Sequence, residues 1–374
     1  MSTPIFVWVG GQRDNIGDTA LRRAFLDVLR TVGTLHITAG NAPESYIAGL
    51  RLHGSDKVYS DRKAWRTASI RSIFRERTVW AFHTGELTMT PKVVKSYVSL
   101  APMILALRLS GGVGIHCGLG FRTATSSSIR DKLSARLVGI ILLPCRIVAW
   151  RDLPSCKRAA NGIVAPDWAF SSPSSPGGPA RSRDLLSISI RHDRPGPNGE
   201  YIAAVRQFAD AEDLQIVMIS QTERDLIQAR KYAQAFDAKV LEWRKLDLST
   251  AEEDVRSAYR RTKVAISNRL HGLIMAGVEG AIPVGLTMGD SEKLDRTLSG
   301  ASIPTVGFDT IGKTSQQILE HIRSVYESAD EIEVGFTAAD DGLTDLSVKI
   351  SQTISGVPSG PSSIRDQPQP GSVR

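Results

Sequence analysis

Cysteine is scarce. Three residues in 374, at 117, 145 and 156, form no CxxC pair and no even set, which excludes a disulfide framework or a zinc ribbon and suits a reducing compartment. No HExxH, GxSxG or EF-hand loop is present, nor any clustered His/Cys/Asp set, so no metal-dependent or serine-hydrolase mechanism is indicated. Long apolar runs are missing too. The longest, Leu137 to Leu143, is broken by Gly139 and closed by Pro144, well short of the ~20 residues a membrane helix needs. The N-terminus has no basic segment, and its apolar run Ile5 to Val9 is too short for a signal peptide. The expectation is a cytoplasmic protein with no span.

What is present is the composition of an ordinary globular chain, 41% hydrophobic and 23% charged, with a length that suits about two domains. The net charge of +7 is unevenly shared. Residues 1–166 carry 23 Lys and Arg against 10 Asp and Glu, and the remainder 23 against 29. A basic front half attracts polyanions of any chemistry, whether nucleic acid, anionic lipid or a phosphorylated carrier. Trp65, Trp80 and Tyr59 lie among its arginines, yet no RNA-binding signature accompanies them, so a nucleic-acid binder is the weakest reading and no such partner is expected.

Ser171 to Pro179 is a run of Ser, Pro and Gly that sustains neither helix nor interior strand. It divides the chain into a domain of residues 1–170, a linker at 171–180 and a domain at 181–353. The tail, 354–374, has too little apolar surface to offset its ordering entropy. Both halves alternate short β-rich runs with helix-patterned ones, the mark of parallel sheets with crossover helices. Ile5 to Val9 reads as a buried strand running through Gly10 and Gly11 into a helix capped by Asp18. In the second half, strands are expected at 185–190, 214–219, 239–241, 264–266 and 282–286, and helices near 199–211, 223–236, 250–261 and 270–280. The fold predicted is α/β, with two Rossmann-like, doubly wound domains facing a cleft.

In such sheets ligands bind beyond the carboxyl ends of strands, where helix N-termini point free N–H groups. That rule selects Arg191-His192-Asp193-Arg194 after the 185–190 strand and Ser267-Asn268-Arg269-Leu270-His271-Gly272 after the 264–266 strand, with Ser267 or Asn268 as helix cap. Two guanidinium forks at one sheet edge suit a small di- or trianion. His271 is the best-placed general acid or base of this half. On the front half, the loop Gly10 to Asp18 fits neither GxGxxG nor a P-loop, and a second glycine cluster, Gly111 to Gly120, is expected to close a strand near the cleft with His116 beside it.

Four segments resemble the polysaccharide pyruvyl transferase family: Gly10-Gly11 with Asn15-Ile16-Gly17-Asp18; Gly118-Leu119-Gly120; Arg151-Asp152 followed by Pro166-Asp167-Trp168-Ala169-Phe170; and Ser267-Asn268-Arg269-Leu270-His271-Gly272 with Pro283 and Lys293. The glycine turn departs from the family pattern at His116, Cys117 and Phe121. The resemblance implies a GT-B-like architecture and transfer of the enolpyruvyl unit of phosphoenolpyruvate to a sugar, giving a pyruvate ketal. It implies no cofactor, phosphoenolpyruvate being a co-substrate. Arg191, Arg269, Leu270, His271 and Lys293 then fall on the donor side, and Gly11, Asn15, Gly17 and Asp18 on an acceptor-side loop. Asp18 and His116 are the candidates for the base. The basic front half would meet a glycan on a diphosphate-linked lipid carrier, with peripheral contact at the inner membrane face. A sugar-nucleotide glycosyltransferase on the same plan is the alternative.

Overall fold

The computed structural model describes residues 2–82, 84–122, 128–171, 183–243, 247–289 and 291–356. Apart from Ser171, the expected linker lies outside these residues, as does the tail beyond 356.

The first sheet comprises β1 (Pro4–Trp8), β2 (Thr34–Thr38), β3 (Lys57–Tyr59), β4 (Val79–Ala81), β5 (Gly85–Leu87), β6 (Val113–Phe121), β7 (Ile147–Trp150) and β8 (Ile163–Val164). All are parallel, in the order β3-β2-β1-β4-β6-β7-β8, with β5 paired to the end of β6. From β1 the chain steps outward to β3, then returns and advances from β4 to β8. Right-handed crossovers therefore put α1 (Ile16–Arg30) and α2 (Glu44–Leu50) on one face. On the other lie α3 (Arg62–Ile73), α4 (Pro91–Leu109), α5 (Ile129–Ile141) and α6 (Leu153–Ala159). The core is split accordingly. Leu21, Phe25 and Trp168 belong to one apolar cluster, while Trp65, Tyr97 and Val138 belong to a second beneath α3 to α6.

The second sheet has β9 (Leu185–Ser189), β10 (Gln215–Met218), β11 (Lys239–Val240), β12 (Thr262–Ser267), β13 (Ile282–Thr287) and β14 (Gly307–Asp309). Its order, β11-β10-β9-β12-β13-β14, all parallel, is that of a dinucleotide-binding sheet. Its helices are α7 (Gly199–Ala211), α8 (Leu226–Phe236), α9 (Leu248–Tyr259), α10 (Leu270–Val278), α11 (Glu292–Ser299) and α12 (Ser315–Glu327). The last helix, α13 (Ala329–Ser355), packs on α10 and α12 and also on α1 and β6. Ile350 and Ile354 are buried there, and Arg77 donates to the Thr353 carbonyl at 3.0 Å. The unit expected at 181–353 thus lends its final helix to the N-terminal sheet.

Both sheets reverse strand order at one place, between β1 and β4 and between β9 and β12, where parallel α/β sheets leave a crevice. The domains meet along these two crevices. Asn15 forms an antiparallel bridge with Thr222, and the Ile16 amide donates to the Gln221 carbonyl at 3.1 Å. Arg23 Nη1 donates to Glu252 Oε2 at 2.7 Å across the same boundary.

Three local expectations are corrected. The cap of α1 is Asn15, whose side chain accepts from the Gly17 amide at 2.9 Å, and this leaves the Asp18 carboxylate free for other work. The cap of α10 is Arg269, because Ser267 and Asn268 are spent holding the preceding turn. The Gly111 to Gly120 cluster is not a turn, since most of it is β6, buried throughout. Its glycines admit close neighbours: a Cβ at Gly114 would meet Cys145, and one at Gly118, where φ is +79°, would meet Trp168.

Candidate active site at the domain interface

On the C-terminal side, β12 ends in a turn pinned to β9. Ser267 Oγ donates to the Ser189 carbonyl at 3.0 Å and accepts from the Arg269 amide at 2.9 Å, while Asn268 Oδ1 accepts from the Arg191 amide at 2.9 Å. These bonds bring Arg191 and Arg269 to one sheet edge. Each fork is already filled. Arg269, buried, holds Asp225 through Nε and through Nη2 at 2.7 Å, and His192 Nδ1 lies 2.8 Å from the same carboxylate. Arg191, 26% exposed, pairs with Asp193 at 2.7 Å. The hydrogen bond from Arg191 and its charge, with a smaller contribution from the charge of Arg269, hold the Asp193 carboxyl below its usual range against its partial burial.

His271, in the first turn of α10, is the meeting point of the domains. Its Nδ1 lies 3.0 Å from Asp18 Oδ1, and its Nε2 lies 3.7 Å from Asp167 Oδ2, an ion-pair rather than a hydrogen-bond distance. Burial disfavours the imidazolium, but the two carboxylates outweigh it and raise the His271 pKa above the ordinary value. Burial likewise opposes ionisation of Asp18, yet the bond to His271 and the charges of Arg22 and Lys293 hold its carboxyl well below the usual range. Asp18 therefore fixes the ring through Nδ1, while Nε2 has no hydrogen-bond partner among the described residues.

The approach depends on Gly17. A Cβ there would collide with the His271 Cβ, so only glycine lets α1 come this close to α10. Gly11 has φ +110°, and a Cβ on it would strike the Arg22 guanidinium, which donates to the Asp18 carbonyl at 2.7 Å. Gly17→Ala is expected to separate the two helices, cost about 1–3 kcal/mol as overpacking does, and reduce turnover at least tenfold. Urea unfolding and an initial-rate assay check this, and a variant with wild-type values in both would show that the approach is dispensable.

Around this pair lies a charge cluster centred on Glu86 of β5. Its carboxylate receives Arg151 at 2.9 Å, Arg122 at 3.0 Å, Lys293 at 3.2 Å and Arg296 at 3.5 Å. Burial opposes ionisation of Glu86, but these cations, Lys293 foremost, bring its pKa down to about 2. Arg151 continues to Asp167 at 3.4 Å, and Arg296 to Asp152 at 3.3 Å. Confinement at the interface lowers the half-buried Lys293 below the usual amine range, with Glu86 pulling it back up.

His116 is not in this site. It is buried in an aromatic cluster with Phe82 and Trp150, its Nε2 3.3 Å from the Tyr97 hydroxyl, because β6 is an interior strand. Trp65 and Trp80 are stacked on each other and buried, so they offer no platform for bases. Motif reasoning passed over Glu86, Arg22 and Arg296, and it quoted Arg151 and Asp167 without giving them roles. One signal did point to Glu86, the single carboxylate between Glu76 and Asp131.

Two Rossmann-like domains with reactive groups at their facing crevices define a GT-B-like protein. Solved structures share this architecture. S. aureus MnaA with UDP is 12% identical, with 96% of this chain and 99% of that one covered and a TM-score of 0.52. Neisseria meningitidis UDP-GlcNAc 2-epimerase bound to UDP-GlcNAc is 11% identical, with 95% and 100% covered and a TM-score of 0.55. Anabaena Alr3699/HepE with UDP is 11% identical, with 95% and 98% covered and a TM-score of 0.51. At these identities the likeness shows the fold alone. No curated protein sequence matches the chain. Residues 15–280 match the model of the polysaccharide pyruvyl transferase family, and the chain belongs to that family.

Proposed function

We propose that the protein transfers the enolpyruvyl carbons of phosphoenolpyruvate to two hydroxyls of a sugar in a glycan, releasing inorganic phosphate and leaving a pyruvate ketal. The observation that carries this reading is the interdomain Asp18–His271 pair, with Nε2 of a raised-pKa imidazole left facing Asp167. An imidazolium there suits protonation of an enol ether. Its proton goes to C3, which becomes the methyl group, and C2 gains cationic character. One sugar hydroxyl adds at C2 and loses its proton to a base. The second hydroxyl then attacks C2 and gives up its proton as phosphate departs with the C–O bonding pair, taking that proton to leave as inorganic phosphate, and the new C2–O bond closes the ring.

The donor's phosphate and carboxylate would sit on Arg191, Lys293 and the free N–H groups in the first turn of α10, Leu270 among them. Arg269, its fork filled by Asp225, supports that floor rather than gripping the donor alone. Donor binding at Arg191 displaces Asp193, the more exposed of the two carboxylates. Neither step calls on a cofactor. The acceptor would approach over the Gly11 to Asp18 loop as a glycan of the cell envelope or of an exported polysaccharide, carried on a lipid diphosphate at the inner membrane face.

A sugar-nucleotide reaction is the second reading, favoured by the UDP bound in two of the neighbours of like fold. Thermal unfolding separates the two. A ligand at a hundred times its Kd stabilises by about 2.7 kcal/mol, so phosphoenolpyruvate should raise the melting temperature and UDP should leave it unchanged. The reverse pattern would sink pyruvyl transfer in favour of the nucleotide enzyme.

A further inference from the structure

We propose that the outer helical layer of the N-terminal domain, α3 to α5, docks the protein on an anionic lipid bilayer. The proposal extends the reading of a lipid-carried acceptor but stands on separate observations.

A surface helix normally turns polar residues to water. On α4 the outward positions are Val98, Leu105 and Leu109, spaced by seven and four residues and so within a ~40° arc. On α5, Ile129, Leu133 and Ile140 repeat the pattern. Leu109, Ile129 and Leu133 are 79%, 73% and 66% exposed. Of seventeen large apolar side chains exposed among the described residues, eleven lie between Ile70 and Leu153. Since α4 packs against both α3 and α5, these side chains form one face, and clustering of this kind marks an interaction surface.

Charge tells what the partner is. Residues 62–146 hold 14 Lys and Arg against Glu76, Glu86 and Asp131, which accounts for most of the excess in the basic half. Among the described residues Arg122 is the single one of these fourteen in an ion pair. Arg130 and Lys132 flank the α5 stripe, and Lys95 and Arg108 flank that of α4. Exposed leucine and isoleucine framed by unneutralised cations fit a layer of anionic headgroups over acyl chains. An acidic protein would answer the charge but leave the apolar stripes uncovered. The opposite face of this domain is occupied by α13 and the second domain. Among the described residues no helix is long and apolar enough to cross a membrane, and the contact proposed is with the headgroup layer.

The test is flotation of the full chain with vesicles of equal phosphatidylglycerol and phosphatidylcholine, and with phosphatidylcholine alone. Wild type should float with the anionic vesicles and should detach as salt rises. The double variant Leu133→Glu, Ile140→Glu should lose at least tenfold in bound fraction. Val348→Glu on α13, also at an exposed position, should bind as wild type. Should the double variant not fold, as judged by circular dichroism, Arg130→Glu with Lys132→Glu serves in its place and should lose binding to the same extent. No binding to anionic vesicles, or equal binding by the variants, overturns the proposal. So does a wild-type dimer in light scattering that the double variant dissolves without any vesicle binding, since a second copy would then cover the face. No donor is present in the assay, so pyruvyl transfer and membrane docking stand or fall separately.

Discussion

Replacing His271 by alanine should lower turnover by about 10² to 10⁴-fold, the range over which positioned acid or base groups act, while phosphoenolpyruvate affinity changes less than threefold. The imidazole is held at Nδ1 by Asp18 from the other domain, so truncation removes the proposed proton donor without touching Arg191 or Lys293. Initial rates of phosphate release and an equilibrium titration with the donor give the two quantities. Equal losses in both would mean that His271 binds rather than protonates. The pH profile adds a second readout. His271 titrates above its ordinary value because carboxylates flank it, so the acid form is complete at low pH and is lost as pH rises through the raised pKa. Asp18→Asn removes one of those charges and should move the alkaline limb of the profile to lower pH. A limb that stays in place would detach the limb from this pair.

Glu86→Ala should be the most damaging change for stability, at about 3–5 kcal/mol, the cost of stripping a partner from buried ions. Arg151 and Arg296, almost wholly buried, would lose their contacts at 2.9 and 3.5 Å, leaving Arg151 with Asp167 and Asp152 and Arg296 with Asp152 and the exposed Glu292. Because Arg151 comes from the first domain and Arg296 from the second, the loss falls on the interface. The pH dependence has a fixed sign. Glu86 has a folded pKa near 2 against an ordinary 4.5, so its contribution is present above about 4.5 and fades as pH falls toward 2. Urea unfolding at pH 7 and at pH 3 should show a smaller gap between wild type and variant at the lower pH. A difference under 1 kcal/mol at pH 7 would demote the cluster to a surface network.

The two doubly wound sheets were legible because apolar runs such as 185–190 and 264–266 sit between helical periodicities, and each becomes a strand within a residue or two. The rule that ligands gather at strand ends also selects Arg191, Arg269 and His271, and the strand-turn-helix loop from Gly10 selects Asp18. What it could not supply were partners distant in the chain. Asp225 and Asp193 fill the two guanidinium forks, and no spacing announces that. Glu86 rides on a three-residue strand in a stretch without motifs. His116 was misplaced because flanking glycines read as a turn, whereas in β6 they make room for Cys145 and Trp168. Asp18, expected as the cap of α1, pairs instead with His271, because Asn15 does the capping.

The long α13 carries a consequence for biogenesis. Part of α1 and of β6 is covered by α13, which runs from Ala329 to Ser355, so the N-terminal half, though synthesised first, must wait for the rest of the chain before that side is shielded from water. At roughly 5–20 residues per second of translation, the nascent domain spends some ten to forty seconds with an open seam, a window in which that apolar surface is exposed to association with other chains.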